Sequence, residues 1–298
     1  MLNLDWPFCR SFAGCLLDLI KFCLRWQQNL CCVSTFWAKM AEIAAGVVGS
    51  TVREVLKVEA VREKTRMAAF EARVISAEEA DGTKVPAHEL VYRRLRAQVL
   101  FGEIAPGQAV TIQGLTASLG AGMTPVREAI RRVIAEGGLN FQGNRRVSVP
   151  VLNRACIEEL VFLRATIEPE LTRRAATRLE AGDIDWLEAV DAEMDVAIEA
   201  GDIATYLKRN HAFHSAIYEA ADAPIMASTA DRLWLRFGPS LRVVCGQYDA
   251  AREPDLHKDM LAAFRSGDAA AAAAAMERDV RQGMGQIQSA LIENLFSP

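Results

Sequence analysis

Residues 124–133 read TPVREAIRRV, and this stretch has the periodicity of a helix with two unlike faces. Its apolar side chains recur three and four residues apart, which places them together at 3.6 residues per turn. The apolar face consists of Val126, Ile130 and Val133. Arg127 and Arg131 fall on a neighbouring face, about 100° away. The stretch therefore predicts a helix that buries one side and presents arginines on another.

The residues before this helix predict how it begins and what precedes it. Thr124 offers a hydroxyl that can cap the helix, and Pro125 stands at the expected first helical position, where its missing N–H costs nothing. Residues 88–101 and 112–119 have the apolar spacing of two earlier helices. The glycine-containing link 120–122 permits a positive φ where the second and third helices meet at a sharp angle.

The residues after the third helix have the pattern of a basic β-hairpin. Apolar residues alternate on both sides of Gly143-Asn144, as expected for two strands joined by a short turn. The alternating positions are Leu139, Phe141, Val147 and Val149. Arg145 and Arg146 fall at the tip. Three helices followed by a basic hairpin are typical of a winged helix-turn-helix, in which the third helix enters the major groove and the wing contacts phosphates.

The distribution of charge along the chain is consistent with a polyanionic partner for this region. The chain has a net charge of −4, but residues 86–150 carry 8 Arg and Lys against 4 Asp and Glu. Residues 151–298 carry 15 basic against 24 acidic side chains. A basic block next to an acidic one indicates that one half meets nucleic acid. By itself this charge pattern is equally compatible with ordinary surface variation.

The run from Tyr92 to Val149 resembles the GntR family of DNA-binding regulators. The resemblance rests on the segments LFGEIAPGQAV, TPVREAIRRV, EGGL and NRRVSV. Members of this family bind palindromic operators as dimers, so the resemblance implies double-stranded DNA and a second copy of the chain as partners. The predicted DNA-contacting residues are Gln113, Thr124, Pro125, Arg127, Arg131, Gly143, Asn144, Arg145 and Arg146.

The resemblance implies separate roles for four of these residues. Arg127 corresponds to the recognition-helix arginine of the family. Thr124 and Gly143 fall at positions that contact the phosphates and the groove. Gln113 occupies a polar, DNA-facing position of the second helix.

The pair Gly122-Met123 departs from the family pattern, which has Ser-Arg at this point. One arginine contact is therefore missing, and we expect an altered operator preference rather than a loss of DNA binding. Arg127 has an alternative role as well, because it could form a surface ion pair with Glu128 or Glu136.

Four side chains in the second half have the spacing of a metal site. Asn210 and His214 stand four residues apart, on one helix face. His257 lies 10 residues before the break at Gly267-Asp268 and Asp279 lies 11 after it, so the two could face each other on antiparallel helices. These nitrogen and oxygen donors suit a divalent metal. The alternatives are core or surface histidines, and an Asp279 that pairs with Arg278 or Arg281.

Residues 155–292 resemble the FCD effector domain of the FadR subfamily. The segments FLRATIEPELTRRAA, NHAFHSAIYEAADAP and LHKDMLAAFRSGDAAAAAAAMERDV carry the resemblance. It implies an antiparallel helical bundle that holds zinc, nickel or a similar divalent cation through Asn210, His214 and His257. Asp279 stands where the family has a histidine, so the site could favour harder ions or could bind the effector without metal. Arg164 resembles an inward arginine that binds a carboxylate ligand, and its alternative is an ion pair with Glu168.

The remaining features divide the chain into three parts. Residues 1–85 form an N-terminal extension, residues 86–150 the winged domain and residues 151–298 the helical effector domain. We expect residues 1–39 to be an over-extended gene start or a disordered arm, the alternative being a membrane-surface or partner-binding helix. Charges interrupt every apolar run there, so neither a membrane span nor a signal peptide is predicted. Only two cysteines follow this arm, which favours the reducing cytoplasm.

The sequence thus predicts a mostly α protein with an N-terminal winged helix-turn-helix, of three helices plus a β-hairpin wing, followed by an antiparallel all-α bundle. Its predicted function is that of a cytoplasmic DNA-binding regulator, expected to be a repressor, that responds to a small organic acid. The alternative is a metal-dependent hydrolase or lyase built on a helical bundle. An H-E-x-x-H motif is absent from the sequence, and an enzyme has no need of a basic wing.

Overall fold

A computed structural model describes residues 86–142, 146–246 and 255–292 of the chain. These residues form a small winged unit followed by a six-helix bundle, which confirms the predicted fold class. The N-terminal extension predicted for residues 1–85 lies outside the described residues. In the described ranges, no helix combines the length and the apolar character that crossing a bilayer would require.

The winged unit contains three helices and a three-stranded antiparallel sheet. Its helices are α1 (Ala87–Leu100), α2 (Ile112–Leu119) and α3 (Met123–Glu136). Its strands are β1 (Ala109–Val110), β2 (Asn140–Gln142) and β3 (Arg146–Ser148), in the order β1-β3-β2. The hairpin of β2 and β3 is the one predicted from alternation. Strand β1 was not predicted, because two residues are too few to establish a period of two.

A capping hydroxyl begins helix α2 and a glycine ends it. Thr111 begins α2 by accepting a hydrogen bond from the Gly114 amide at 3.0 Å. Gly120 ends the helix at φ +61°, a left-handed conformation that L side chains rarely adopt. The chain can therefore reverse sharply into α3, as the link 120–122 predicted.

The predicted start of α3 was wrong by two residues. The helix begins at Met123 with the extended Gly122 as its cap, and no side chain accepts a capping hydrogen bond. Thr124 and Pro125 are consequently its second and third residues. Proline is still tolerated there, because the first-turn amides of a helix have no intrahelical acceptor.

The helical unit begins after Asn153, whose side chain caps the first helix through the Cys156 amide at 2.9 Å. Its six helices are α4 (Arg154–Ala175), α5 (Ala181–Glu199), α6 (Ile203–Ala220), α7 (Pro224–Cys245), α8 (Leu256–Ser266) and α9 (Ala269–Ile292). Helix α9 packs along α4, and α5 packs along α6. The predicted antiparallel reversal between α8 and α9 occurs at Gly267, at φ +71°, and Asp268 caps α9 by accepting from the Ala270 and Ala271 amides.

Helix α7 joins the two units because it packs against α1 as well as against the bundle. A side chain at Gly238 would place its Cβ 2.3 Å from the carbonyl oxygen of Leu100, so only glycine allows this approach of the two helices. A Cβ at Gly138, after α3, would similarly meet Leu235 at 2.7 Å. Close packing at these two glycines thus fixes the winged unit against the helical bundle.

Candidate functional site

The four predicted metal ligands meet inside the bundle although they come from three helices. Asn210 and His214 lie one turn apart on α6, His257 lies in the first turn of α8, and Asp279 lies on α9. Asp255 fixes the start of α8 by accepting from the Lys258 amide at 3.3 Å. Caps and helix reversals therefore position side chains that are up to 69 residues apart in the sequence.

The donor atoms of this cluster converge on the Asp279 carboxylate. His214 Nε2 lies 3.4 Å from Asp279 Oδ2, and His257 Nε2 lies 3.6 Å from Asp279 Oδ1. One donor atom from each of these three residues lies within 4.8 Å of the other two. The buried Asn210 Oδ1, which lines the same cavity, has no hydrogen-bond partner among the described residues, and neither does His257 Nε2. The alternatives in which Asp279 pairs with Arg278 or Arg281 are not observed, because these arginines contact Asp259 and Glu277.

A second carboxylate orients the His257 ring. Asp191 Oδ1 on α5 lies 3.6 Å from His257 Nδ1, on the side of the imidazole that faces away from Asp279. Asp191 and Asp279 face the two ring nitrogens at the same distance of 3.6 Å. With a cation on the Nε2 side, the single N–H of the neutral ring would point at Asp191. Asp191 was not among the predicted residues, since it lies on another helix and no local spacing connects it with His257.

The tautomer of His214 is set by a buried tyrosine. Tyr218 donates its hydroxyl proton to Glu168 Oε2 at 2.7 Å and accepts a hydrogen bond from Trp234 Nε1 at 3.1 Å. The same oxygen lies 3.4 Å from His214 Nδ1, and it can only accept there because its one proton is already donated. The Nε2 lone pair of His214 consequently points at Asp279.

These contacts fit a cation. Two imidazole nitrogens, an amide oxygen and a carboxylate converge there, and a shared positive ion would stabilise their lone pairs. Burial lowers the pKa of His214 well below its ordinary value and raises the pKa of Asp279. His214 is therefore neutral at pH 7, as a metal ligand must be.

Arg164 is buried behind this cluster in an ion pair with Glu168. Its Nε and Nη2 atoms donate to the two carboxylate oxygens at 2.6 and 3.1 Å, and its guanidinium lies 3.9 Å from the centre of the Phe237 ring. The alternative contact considered for Arg164 is thus present. Arg164 also lines the cavity, and three of its five N–H groups are not used by Glu168.

A cavity of about 790 Å³ opens from the cluster toward one end of the bundle. The four predicted ligands and Arg164 all line it, together with apolar side chains from α5, α6, α7 and α8. Both its size and its mixture of apolar walls with a few polar groups are typical of small-molecule sites.

The predicted DNA-contacting residues that the structure describes lie at the surface of the winged unit. On α3, Thr124, Arg127 and Arg131 are exposed, while Pro125 is half-buried. Gln113 is exposed on α2, and Arg146 is exposed at the start of β3. Gly143, Asn144 and Arg145 of the predicted wing tip lie outside the described residues.

The predicted alternative for Arg127 is not observed. Arg131, rather than Arg127, lies 3.8 Å from Glu128, and Glu136 instead accepts from Tyr92 at 2.5 Å and from Arg96 at 3.0 Å. Among the residues that the structure describes, Arg127 has no ion pair. Its side chain is therefore available to a partner outside the chain.

Comparison with known families decides what these two units are. Residues 87–149 match the model described as bacterial regulatory proteins of the gntR family, and residues 159–282 match the FCD domain. The chain belongs to the GntR family. It is a transcription regulator with a DNA-binding winged domain and an FCD domain, and the alternative of a metal-dependent hydrolase or lyase is set aside.

Similar proteins agree with this assignment. The HTH-type transcriptional regulator McbR of Escherichia coli (strain K12) is 27% identical over 180 residues, which cover 58% of this chain and 80% of McbR. The HTH-type transcriptional repressor RspR of the same strain is 24% identical over 213 residues, which cover 70% of this chain and 92% of RspR. The solved structure of E. coli McbR/YncC shares the fold, with a TM-score of 0.65 at 24% identity, over 70% of this chain and all of that one.

The GntR-type winged domain of this chain is connected to its FCD domain through one further polar cluster. Arg96 on α1 donates to Glu136 on α3 at 3.0 Å and to Asp231 Oδ2 on α7 at 2.6 Å. Asp231 Oδ1 lies 3.9 Å from the half-buried His211, whose ring packs edge-on against Trp234 with centroids 5.2 Å apart. No local spacing predicts this cluster, because its members are up to 135 residues apart.

Proposed function

We propose that this GntR-family regulator is a repressor that binds a palindromic operator as a homodimer in the cytoplasm and releases it when a small organic acid binds in the FCD cavity. The observation that carries the proposal is the set of polar atoms around Asp279, which lie in a cavity lined in part by α7, the helix that packs against the winged unit. A divalent metal at this cluster is part of the proposal.

The DNA-binding half of the proposal assigns α3 to the major groove. Arg127 and Arg131 are the side chains that would contact base edges or phosphates there, and Thr124 and Pro125 lie at the end of α3 that enters the groove. Gln113 on α2 and Arg146 on β3 lie on flanking elements. The predicted wing-tip residues Gly143, Asn144 and Arg145 complete the proposed DNA surface.

The sensing half assigns the metal to Asn210, His214, His257 and Asp279. When bound there, a divalent cation supplies a positive centre that carboxylate oxygens can bind. Two imidazole nitrogens and two oxygens form a donor set that suits zinc, nickel and related ions. Asp191 and Tyr218 would hold the two rings in the required tautomers. Arg164 would assist an acidic effector through N–H groups that Glu168 leaves unused.

Coupling between the two halves follows the contacts of α7. Trp234 touches the cluster, since its ring lies 5.2 Å from that of His214 and its indole N–H donates to Tyr218. On its other side Trp234 packs against His211, which faces Asp231 and, through it, Arg96. A ligand that shifts α6 or α7 would change the hydrogen bond that Arg96 donates to Glu136, the last residue of α3. Binding of acid and of DNA would then be linked by one coupling free energy.

The experiment that tests this function measures metal content and operator binding on the same preparations. We expect His214→Ala/His257→Ala to lose stoichiometric metal, because two of four ligands are gone, while its DNA affinity without effector stays near wild type. His88→Ala is the control, since His88 lies on α1 outside the cluster. Metal retained by the double variant would place the site elsewhere. Absence of a gel shift on the gene's own upstream DNA at low salt would contradict the DNA-binding half.

A further inference from the structure

The charges that line the FCD cavity are mostly negative. The carboxylate residues of the lining are Asp191, Asp195, Glu199, Asp202, Asp255 and Asp279. Among the described lining residues, Arg164 is the only one with a permanently cationic side chain, and Glu168 already neutralises it. Because its lining carries a net negative charge, the cavity repels a simple anion everywhere except at a bound metal.

The negative groups are not spread evenly. Asp191 and Asp279 belong to the buried cluster, whereas Glu199 and Asp202 lie at the opposite end of the cavity, where α5 ends and α6 begins. Asp202 and Asn210 are separated by eight residues of α6, which corresponds to about 12 Å along the helix axis. The cavity therefore has two polar ends at a distance that a small extended molecule can span.

The helix ends at the outer end of the cavity contribute partial charges of both signs. Helix α5 ends at Glu199 and α7 ends at Cys245, and the C-terminal residues of both helices line this end of the cavity. A helix C-terminus is partially negative, and the last turn of α5 contains no basic residue. The last turn of α7 contains Arg242, however, and α6 begins at this end with its partially positive N-terminus. The negative charge of the outer end is therefore that of the Glu199 and Asp202 carboxylates. Lys258 offsets part of the charge, since it contacts Asp195 at 2.9 Å and also pairs with Asp255.

The walls between the two ends are apolar where α5, α6, α7 and α8 form them, through Met194, Ile198, Tyr206, Leu241 and Leu256. Helix α9 contributes the polar Gln282 and Gln286 to the same lining. At the inner end, the unpartnered Asn210 Oδ1 is buried, with 7% of the residue exposed. The lining thus has an inner end built for a cation and its anionic ligand, an apolar middle, and an outer end that favours positive charge.

We infer that the effector is an amino carboxylate: its carboxylate is bound at the metal cluster, an apolar chain lies along the walls, and an ammonium group lies between Glu199 and Asp202. This inference rests on the proposed function, because it takes the cavity to be the sensing site. It narrows the class of ligand from organic acids in general to zwitterions that carry their charges at opposite ends.

Three six-carbon probes test the inference, because they differ only in the terminal group. The zinc-loaded full chain is titrated calorimetrically with 6-aminohexanoate, hexanoate and hexanedioate. We expect 6-aminohexanoate to bind best, about tenfold more tightly than hexanedioate, since partly exposed charge pairs shift affinity by a few fold in each direction. We also expect this preference to shrink as salt is raised.

Two substitutions locate the ammonium end. Glu199→Gln/Asp202→Asn removes both outer charges, and asparagine keeps the cap that Asp202 gives α6. We expect the preference for 6-aminohexanoate over hexanedioate to fall to about twofold, with hexanoate affinity unchanged. Glu193→Gln is the matched control, because Glu193 lies on α5 outside the cavity and pairs with Arg209. The Glu193→Gln variant should prefer 6-aminohexanoate over hexanedioate by the same factor as the wild type.

Several results would overturn the inference. Hexanedioate binding as tightly as 6-aminohexanoate would do so, as would an unchanged preference in the double variant or binding of none of the probes by metal-loaded protein. The proposed function fails separately. If hexanoate or hexanedioate binds to the wild type and weakens its hold on DNA, the sensor stands and only the ligand class is wrong. If metal binding does not need His214 and His257, the sensing site itself is wrong.

Discussion

The proposed DNA-binding surface and the proposed effector cavity of this GntR-family regulator differ in whether their arginines are exposed or buried. On the winged unit, Arg127 and Arg131 are exposed, and Arg127 has no ion pair among the described residues. In the FCD cavity, Arg164 is 3% exposed and donates two of its N–H groups to Glu168. Arg127 is therefore available to a polyanion, whereas the buried Arg164 pairs within the bundle. The two arginines therefore differ in role because Arg127 is exposed to solvent and Arg164 is buried, although the residue type is the same.

Among the substitutions that test this difference, we expect the largest effect from Arg127, through a loss of operator affinity. Arg127→Ala removes a side chain that the proposal places in the major groove, and each arginine contact with a base contributes about 1 to 3 kcal/mol. A dimer loses it twice, so operator affinity should fall by about 2 to 6 kcal/mol of binding free energy. Fluorescence anisotropy with labelled operator measures the loss. Arg178→Ala, at an exposed position in the turn after α4, is the control, and equal affinity of both variants would remove Arg127 from the interface.

Arg164 should affect stability rather than DNA contact. Arg164→Met leaves Glu168 charged and buried without its partner, which costs about 3 to 5 kcal/mol of unfolding free energy. Urea unfolding followed by tryptophan fluorescence measures it. The double variant Arg164→Met/Glu168→Gln should recover a large part of the loss, because no uncompensated charge remains. A double variant no more stable than the single one would show that the loss comes from packing against Phe237.

Arg96 connects the two regions, so its substitution should affect their coupling. Arg96→Met breaks the contacts with Glu136 and Asp231, and we expect it to reduce the coupling free energy between effector and operator by about 0.5 to 2 kcal/mol. The measurement is operator affinity with and without effector. Arg94→Met, exposed on the same helix, is the control. Coupling that survives intact in Arg96→Met would mean that the signal travels by another route.

The smallest effect is expected at the cap of α9. Asp268→Ala removes the acceptor for the Ala270 and Ala271 amides and should cost about 1 kcal/mol of stability. Asp268→Asn keeps an acceptor and should remain close to wild type. Operator affinity should be unchanged in both. A change in DNA binding on loss of this cap would mean that the two regions are less separate than the contacts indicate.

The two regions also differ in how far the sequence predicts them. The winged unit is encoded by local periodicity, so Ile112–Leu119 was predicted with its observed bounds and the arginine face of α3 was predicted to be exposed. The start of α3 was predicted two residues too late, because a proline fits anywhere in the first turn of a helix. Strand β1 was missed, since its register depends on pairing with β3 rather than on its own residues.

In the cavity, the sequence spacing predicted that His257 and Asp279 face each other, because both lie nearly the same number of residues from the reversal at Gly267. Asp191 and Trp234 left no such signal, because their contacts with the imidazole rings depend on how α5, α6 and α7 pack in three dimensions. Tyr218 lies four residues after His214 on α6, so its contact does have a local spacing, which was missed. Buried hydrogen-bond partners of ligands are therefore the part of such a site that sequence patterns miss.

We propose that the cavity controls the DNA-binding surface, and operator affinity titrated with zinc and 6-aminohexanoate tests this control most directly. Anisotropy measurements on the wild type and on His214→Ala/His257→Ala give the coupling free energy for each protein. We expect ligand to weaken operator binding by about 1 to 3 kcal/mol in the wild type, and the double variant to bind DNA equally well with and without ligand. The same operator affinity in the presence and absence of metal and ligand in both proteins would contradict it.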